Sequence, residues 1–143
     1  MFDLNDCVNC ITSKAVKTIS YRIEKKIAHL NITRVQWMAL YYIDREKKLT
    51  QKELALAMAS KEATIARLID RMVKEGLVKR VQTETDKRKN YIKLTNKGSK
   101  INHEASLIVE RFKDQTIKDI PDKDLDTFKR VLQMMVENTN YND

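Results

Sequence analysis

LTQKELALAMASKEATIARLIDRMVKEGLVKR, residues Leu49–Arg80, is the stretch that decides the fold. Thr50-Gln51-Lys52-Glu53 reads as a capping box, a threonine at the N-cap and a glutamate three residues on that reaches back to it. The helix it opens is short and carries Leu54, Ala55 and Met58 on its apolar side. Ser60 is expected to cap the next helix, which runs to Glu75 with Ile65, Leu68, Ile69, Met72 and Val73 at helical spacing. Gly76 stands where a left-handed residue ends a helix. Two helices a few residues apart, with small Ala57 and Ala59 between them, have the helix-turn-helix layout.

The pattern changes on both sides. Leu77–Val81 and Asn90–Leu94 are short β-branched and aromatic segments, and the polar stretch 82–89 between them makes a β-hairpin. Lys87, Arg88 and Lys89 are expected at its turn. Upstream, apolar residues recur every three or four positions from Leu4 to Leu30, which predicts a helix roughly 40 Å long. Thr33-Arg34-Val35-Gln36 is a second capping box, opening a helix through Trp37, Leu40, Tyr41 and Ile43. Downstream, Thr95 is expected to cap a long helix that Ile120-Pro121 breaks, and Asp122 to cap the last one. With two glycines and one proline in 143 residues, the chain reads as one mainly helical domain over 1–143.

Charge is concentrated where the motif lies. Residues 45–100 hold 16 Lys and Arg against 7 Asp and Glu, whereas the chain as a whole has a net charge of +8. The flanks are therefore close to neutral, and the basic block suits an anionic partner, duplex DNA. An enzyme is a poor reading: the two histidines are far apart, and no Gly-rich phosphate loop or nucleophile elbow is present. No cofactor is implied. No metal site is either, because Cys7-x-x-Cys10 has no second pair and His29 and His103 fall at no ligand spacing. No apolar run approaches the ~20 residues of a membrane span, and the acidic start is unlike a signal peptide, so a cytoplasmic protein is expected.

A helix-turn-helix followed by a basic hairpin is a winged helix, and the chain resembles the MarR family of bacterial transcription regulators. The residues that carry the resemblance are Asn31-Ile32-Thr33-x-x-Gln36-Trp37, Leu49-Thr50-Gln51-x-Glu53-Leu54-Ala55, Arg67–Met72 with Glu75–Val78, Asp86-x-Arg88, and Ile92-x-Leu94-Thr95-x-x-Gly98. The fold class is then mainly α with a small β-hairpin wing. A winged helix-turn-helix over 34–95 is flanked by long N- and C-terminal dimerisation helices, 4–30 and 96–138. The resemblance implies a two-fold homodimer sealed by those helices, with two recognition helices about 34 Å apart reading a palindrome. It also implies that Asp86 orients Arg88 toward a minor groove. Repression by occupying a promoter is the default action.

On the recognition helix, a rotation of 100° per residue puts Ala63, Thr64, Arg67, Arg71 and Lys74 opposite the apolar face. Arg67 is the expected base reader, with Ala63 and Thr64 near base edges and Ser60, Lys61 and Arg71 on phosphate. A solvated polar face is the bland alternative. Thr50 and Gln51 begin a helix, whose free N–H groups suit a phosphate. Lys87, Arg88 and Lys89 complete the set, with Lys79, Arg80 and Lys93 as weaker phosphate candidates.

Two features bear on control. Relatives commonly respond to a small molecule in a crevice between the dimerisation helices and the winged helix. Tyr21, Arg22, Trp37, Tyr41 and Tyr42 are candidates to line one here, or are simply core and cap residues. Cys7 and Cys10 share one side of the first helix, and a thiol near a helix N-terminus ionises more readily. They are a redox sensor in one reading and small apolar residues of a dimer seam in the other. A winged helix used for protein contact is the remaining alternative; it calls for an exposed apolar patch on the motif.

Overall fold

Thr33 and Thr50 both close reciprocal caps in the computed structural model, which describes residues 3–140 without the side chains of Thr83 and Asp86. The Thr33 hydroxyl accepts from the Gln36 amide at 3.1 Å, and the Gln36 side chain accepts from the Thr33 amide at 2.9 Å. Thr50 and Glu53 repeat the exchange at 3.2 and 2.8 Å. The helices these caps open are α2, Arg34–Glu46, and α3, Gln51–Ala57. Around them run α1, Val8–Ile27, ending in a 3-10 turn; α4, Glu62–Lys74; strands β1, Val78–Thr83, and β2, Asp86–Leu94; α5, Asn96–Thr116; and α6, Asp122–Glu137. This is a winged helix-turn-helix with long helices before and after it. By packing it divides into two compact units, Met1–Glu110 and Arg111–Asp143.

Four boundaries differ from the sequence reading, each for a local reason. α1 begins at Val8 rather than Leu4, because Asp3 folds the preceding residues into a turn. Its carboxylate accepts from the Asn5 amide at 2.9 Å, and its carbonyl from the Asp6 amide. Ser60 does not cap α4. Ala59 is left-handed, φ 48°, its N–H bonds the Leu56 carbonyl and the Ser60 N–H bonds Ala55. This is a Schellman closure of α3, which uses up Ser60 and moves the N-cap of α4 to Lys61. The wing strands are longer than expected and its turn is only Glu84-Thr85, so Lys87, Arg88 and Lys89 lie on β2. Register runs from Val78 opposite Leu94 to Gln82 opposite Asn90, then jumps to Thr83 opposite Asp86. The three basic residues are the surplus of that bulge. Pro121, not Asp122, is the N-cap of α6, and its carbonyl accepts from the Asp124 amide at 2.9 Å.

The core of the first unit gathers Ile27, Leu40, Ile43, Leu54, Ile65, Ile69, Met72, Leu77 and Ile92. Gly76, φ 72°, ends α4 as expected, and a backbone bridge between Leu49 and Ile92 ties the α2–α3 connection to β2. Thr95 caps α5: its hydroxyl accepts from the Gly98 amide at 3.0 Å and donates to the Gly76 carbonyl at 2.6 Å. That brings α5 so close to β1 that a Cβ on Gly98 would sit 1.9 Å from the Leu77 carbonyl oxygen. In the second unit α6 half-buries Leu125, Leu132 and Met135 and leaves Phe128, Val131, Met134 and Val136 exposed.

Candidate nucleic-acid interface

The recognition helix is sided as its sequence demands. Ile65, Ile69 and Met72 are buried, and Ala63, Thr64, Arg67, Arg71 and Lys74 are exposed. Neither Arg67 nor Arg71 has an ion pair among the described residues, so both guanidinium groups are open to an incoming acceptor. Lys61, at the N-cap, has no side-chain acceptor to offer, and the first amides of α4 are left for an outside group.

Arg80, a phosphate candidate by sequence, is held inside the motif instead. Its Nη2 donates to Asp70 Oδ1 on α4 and, at 3.0 Å, to Gln51 Oε1 at the start of α3. One guanidinium thus ties the first turn of α3, the middle of α4 and β1 together. The exposure of both ions limits what the pair adds to stability. Gln51 is turned toward Arg80, and what it offers a phosphate is its backbone N–H at the helix start.

The structure also gathers residues from three elements around a concavity of about 720 Å³. Thr50 at the N-cap of α3, Lys52, Glu53 and Leu56 of that helix, Ser60 and Glu62 line it, together with Lys89 of the wing. Thr50, Ser60 and Lys89, separate in sequence, therefore meet. Glu53 is held below the usual carboxylate range, first by the Thr50 amide, then by the Thr50 hydroxyl and more weakly by Lys89. Glu62 and Leu56 were not among the sequence candidates. Leu56 is 84% exposed, and Glu62 becomes the first residue of α4 once the N-cap moves to Lys61. The left-handed Ala59 was the missing signal, and alanine gives no warning of it. In the wing, Lys87, Arg88 and Lys89 are exposed; the orienting role expected of Asp86 lies outside the described side chains.

A second cleft, of about 680 Å³, opens between α2 and the first turns of α5, lined by Tyr41, Asp44, Arg45, Lys100, Asn102 and His103 among others. Asn102 is 5% exposed; its amide donates to Asp44 Oδ2 at 3.2 Å, and its Oδ1 has no partner among the described residues. Of the crevice candidates, Tyr41 lines this cleft. Trp37 stands beside it, its indole N–H on Ser106 Oγ at 3.3 Å and its ring 6.0 Å from that of Tyr41. Tyr42 packs edge-on against Tyr41, 5.6 Å away, and against the core. Tyr21 and Arg22 are exposed on α1, with the Lys25 ammonium 5.3 Å from the Tyr21 ring, and are not brought to the cleft.

Cys7 and Cys10 are free and half-buried, at the N-cap and in the first turn of α1. The Cys10 thiol holds Cys7 below the usual thiol range, helped by the amides of Cys10 and Asn9, which point at the sulfur without making a full cap bond. Donation to Cys7 pushes Cys10 up. Among the described residues no group of three or more His, Cys, Asp or Glu side chains could hold a metal ion, and no helix is long and apolar enough to cross a membrane.

Comparison with known proteins agrees with this geometry. The sequence model of the MarR family matches residues 30–89. The uncharacterized HTH-type transcriptional regulator YwoH of Bacillus subtilis (strain 168) is 25% identical over 125 residues, 87% of this chain and 90% of the relative. The S. aureus MepR–DNA complex superposes with a TM-score of 0.85 at 20% identity, covering 94% of this chain and 97% of the other. CouR from Rhodococcus jostii RHA1, bound to p-coumaroyl-CoA, gives 0.81 at 19% identity, covering 99% and 100%. At such identities the two superpositions establish the shared fold.

Proposed function

We propose that the chain is a transcriptional regulator of the MarR family, a homodimeric, sequence-specific repressor that occupies a palindromic operator. The observation that carries this reading is the sidedness of α4: a buried apolar stripe backed by an open face of Ala63, Thr64, Arg67 and Arg71. Arg67 reads a guanine edge in the major groove, Arg71 and the amides at the start of α3 hold phosphates, and Lys87–Lys89 approach the neighbouring minor groove. Solved relatives support it, since MepR has been captured with DNA.

The whole chain acts as one functional domain, with 34–95 on the operator and 4–30 and 96–138 making the dimer. Support for pairing comes from α1, whose Val8, Ile11, Val16 and Ile19 are half or more exposed or nearly so among the described residues, an apolar stripe along the helix. A small-molecule effector seated in the α2–α5 cleft would release the operator; CouR, which carries p-coumaroyl-CoA, is the precedent among the relatives.

Selection of bound sequences from a random duplex pool tests the reading. Enrichment of a palindrome with half-sites about one helical turn apart, and its loss in Arg67→Ala, are the expected results. Recovery of no motif, or of the same motif and affinity in Arg67→Ala, would overturn it.

A further inference from the structure

Building on that DNA-binding reading, we propose that Glu62 is a specificity residue of the recognition helix, accepting a hydrogen bond from the N4 amino group of a cytosine in each half-site. The concavity between α3, the tip of α4 and the wing carries two carboxylates on a strongly basic motif. Glu53 is accounted for: its Oε2 accepts from the Thr50 amide at 2.8 Å and from the Thr50 hydroxyl at 2.9 Å. Glu62 has no such use. It is exposed, it opens α4, and it makes no ion pair among the described residues.

A free carboxylate at this point has a definite effect on what docks there. The uncapped amides of α4 attract an anion, but a phosphate drawn to them would face Glu62, so the backbone of the duplex is kept off the tip. The N-terminal residues of a recognition helix are those that reach base edges. There a carboxylate is repelled by the acceptor groups of guanine (N7 and O6) and of thymine (O4). Adenine offers a donor beside its own N7 acceptor, whereas cytosine offers a donor with no acceptor of its own beside it, the nearest being O6 of its paired guanine. Cytosine is the base that fits. A favourable charge at the positive end of the helix is the purely structural use of Glu62, and that use is indifferent to the base opposite.

The experiment is selection from a random duplex pool with the full-length wild type, Glu62→Gln and Glu62→Ala, each followed by affinity measurement on the recovered sites. The near-isosteric glutamine keeps the helix start and exchanges a pure acceptor for a group that pairs with adenine. The inference expects one cytosine per half-site in the wild-type motif, adenine at that position with Glu62→Gln, and no preference there with Glu62→Ala. Replacing that cytosine should weaken wild-type binding roughly ten- to hundredfold. Identical motifs from all three proteins, or a uniform rise in affinity for every sequence in the variants, would overturn it while leaving the DNA-binding reading intact. A wild type that recovers no motif would overturn both.

Discussion

The recognition helix and the flanking helices treat their apolar residues in opposite ways. On α4, Ile65, Ile69 and Met72 are buried to within 1% of their surface. On α1, Val8, Ile11 and Val16 are at least 50% exposed, and on α6 so are Phe128 and Val136. The winged helix closes its own core; the helices before and after it carry large apolar residues that stand exposed among the described residues. In the reading proposed above, the first region needs no partner to keep its shape, and the second is where two copies meet.

The largest effect should come from breaking the self-contained region at its tightest point. Gly98→Ala would drive a methyl group into the Leu77 carbonyl, and neither backbone can yield without dismantling the α5 start. A loss of about 3 kcal/mol or more in urea unfolding is expected. Ile69→Ala, which empties a fully buried site, should cost about 2–5 kcal/mol at any protein concentration. Val16→Ser with Ile19→Ser should instead leave helix content unchanged in circular dichroism while weakening the dimer at least about tenfold in sedimentation. If those two substitutions destabilise a monomer as much as Ile69→Ala does, the contrast between the regions is false.

Smaller effects sharpen the same contrast. Ala59→Gly relieves the left-handed strain between α3 and α4 and should raise stability by about 0.5–1 kcal/mol, the gain being reduced by the freer unfolded chain. At the open end of α1, Cys7 is lowered and Cys10 raised, so the thiolate that reacts first as pH rises is Cys7. Mass-resolved alkylation should show Cys7 modified ahead of Cys10 near neutral pH, its rate rising at lower pH than that of Cys10. Cys10→Ala, which removes the thiol that donates to Cys7, should move the alkylation of Cys7 to higher pH than in the wild type.

Much of this architecture was legible in the sequence because it rests on short-range chemistry. The Thr33–Gln36 and Thr50–Glu53 boxes, Gly76 and the stripe of α4 are set by residues within a turn or two of one another, and all appear where they were expected. The misplaced features depend on partners further away or on conformations their residues do not advertise. A left-handed alanine displaced the cap of α4, and a register jump put Lys87–Lys89 on a strand instead of a turn. The same holds for the interface. The face of α4 could be drawn from a helical wheel, whereas the meeting of Thr50, Ser60, Glu62 and Lys89, and the capture of Arg80 by Asp70 and Gln51, required the fold.

Stoichiometry on a selected operator duplex tests the central claim most directly. Sedimentation of the complex across a range of salt concentrations should show two protomers per duplex, with log affinity falling linearly as log salt rises. A single protomer per duplex, or an affinity indifferent to salt, would contradict it.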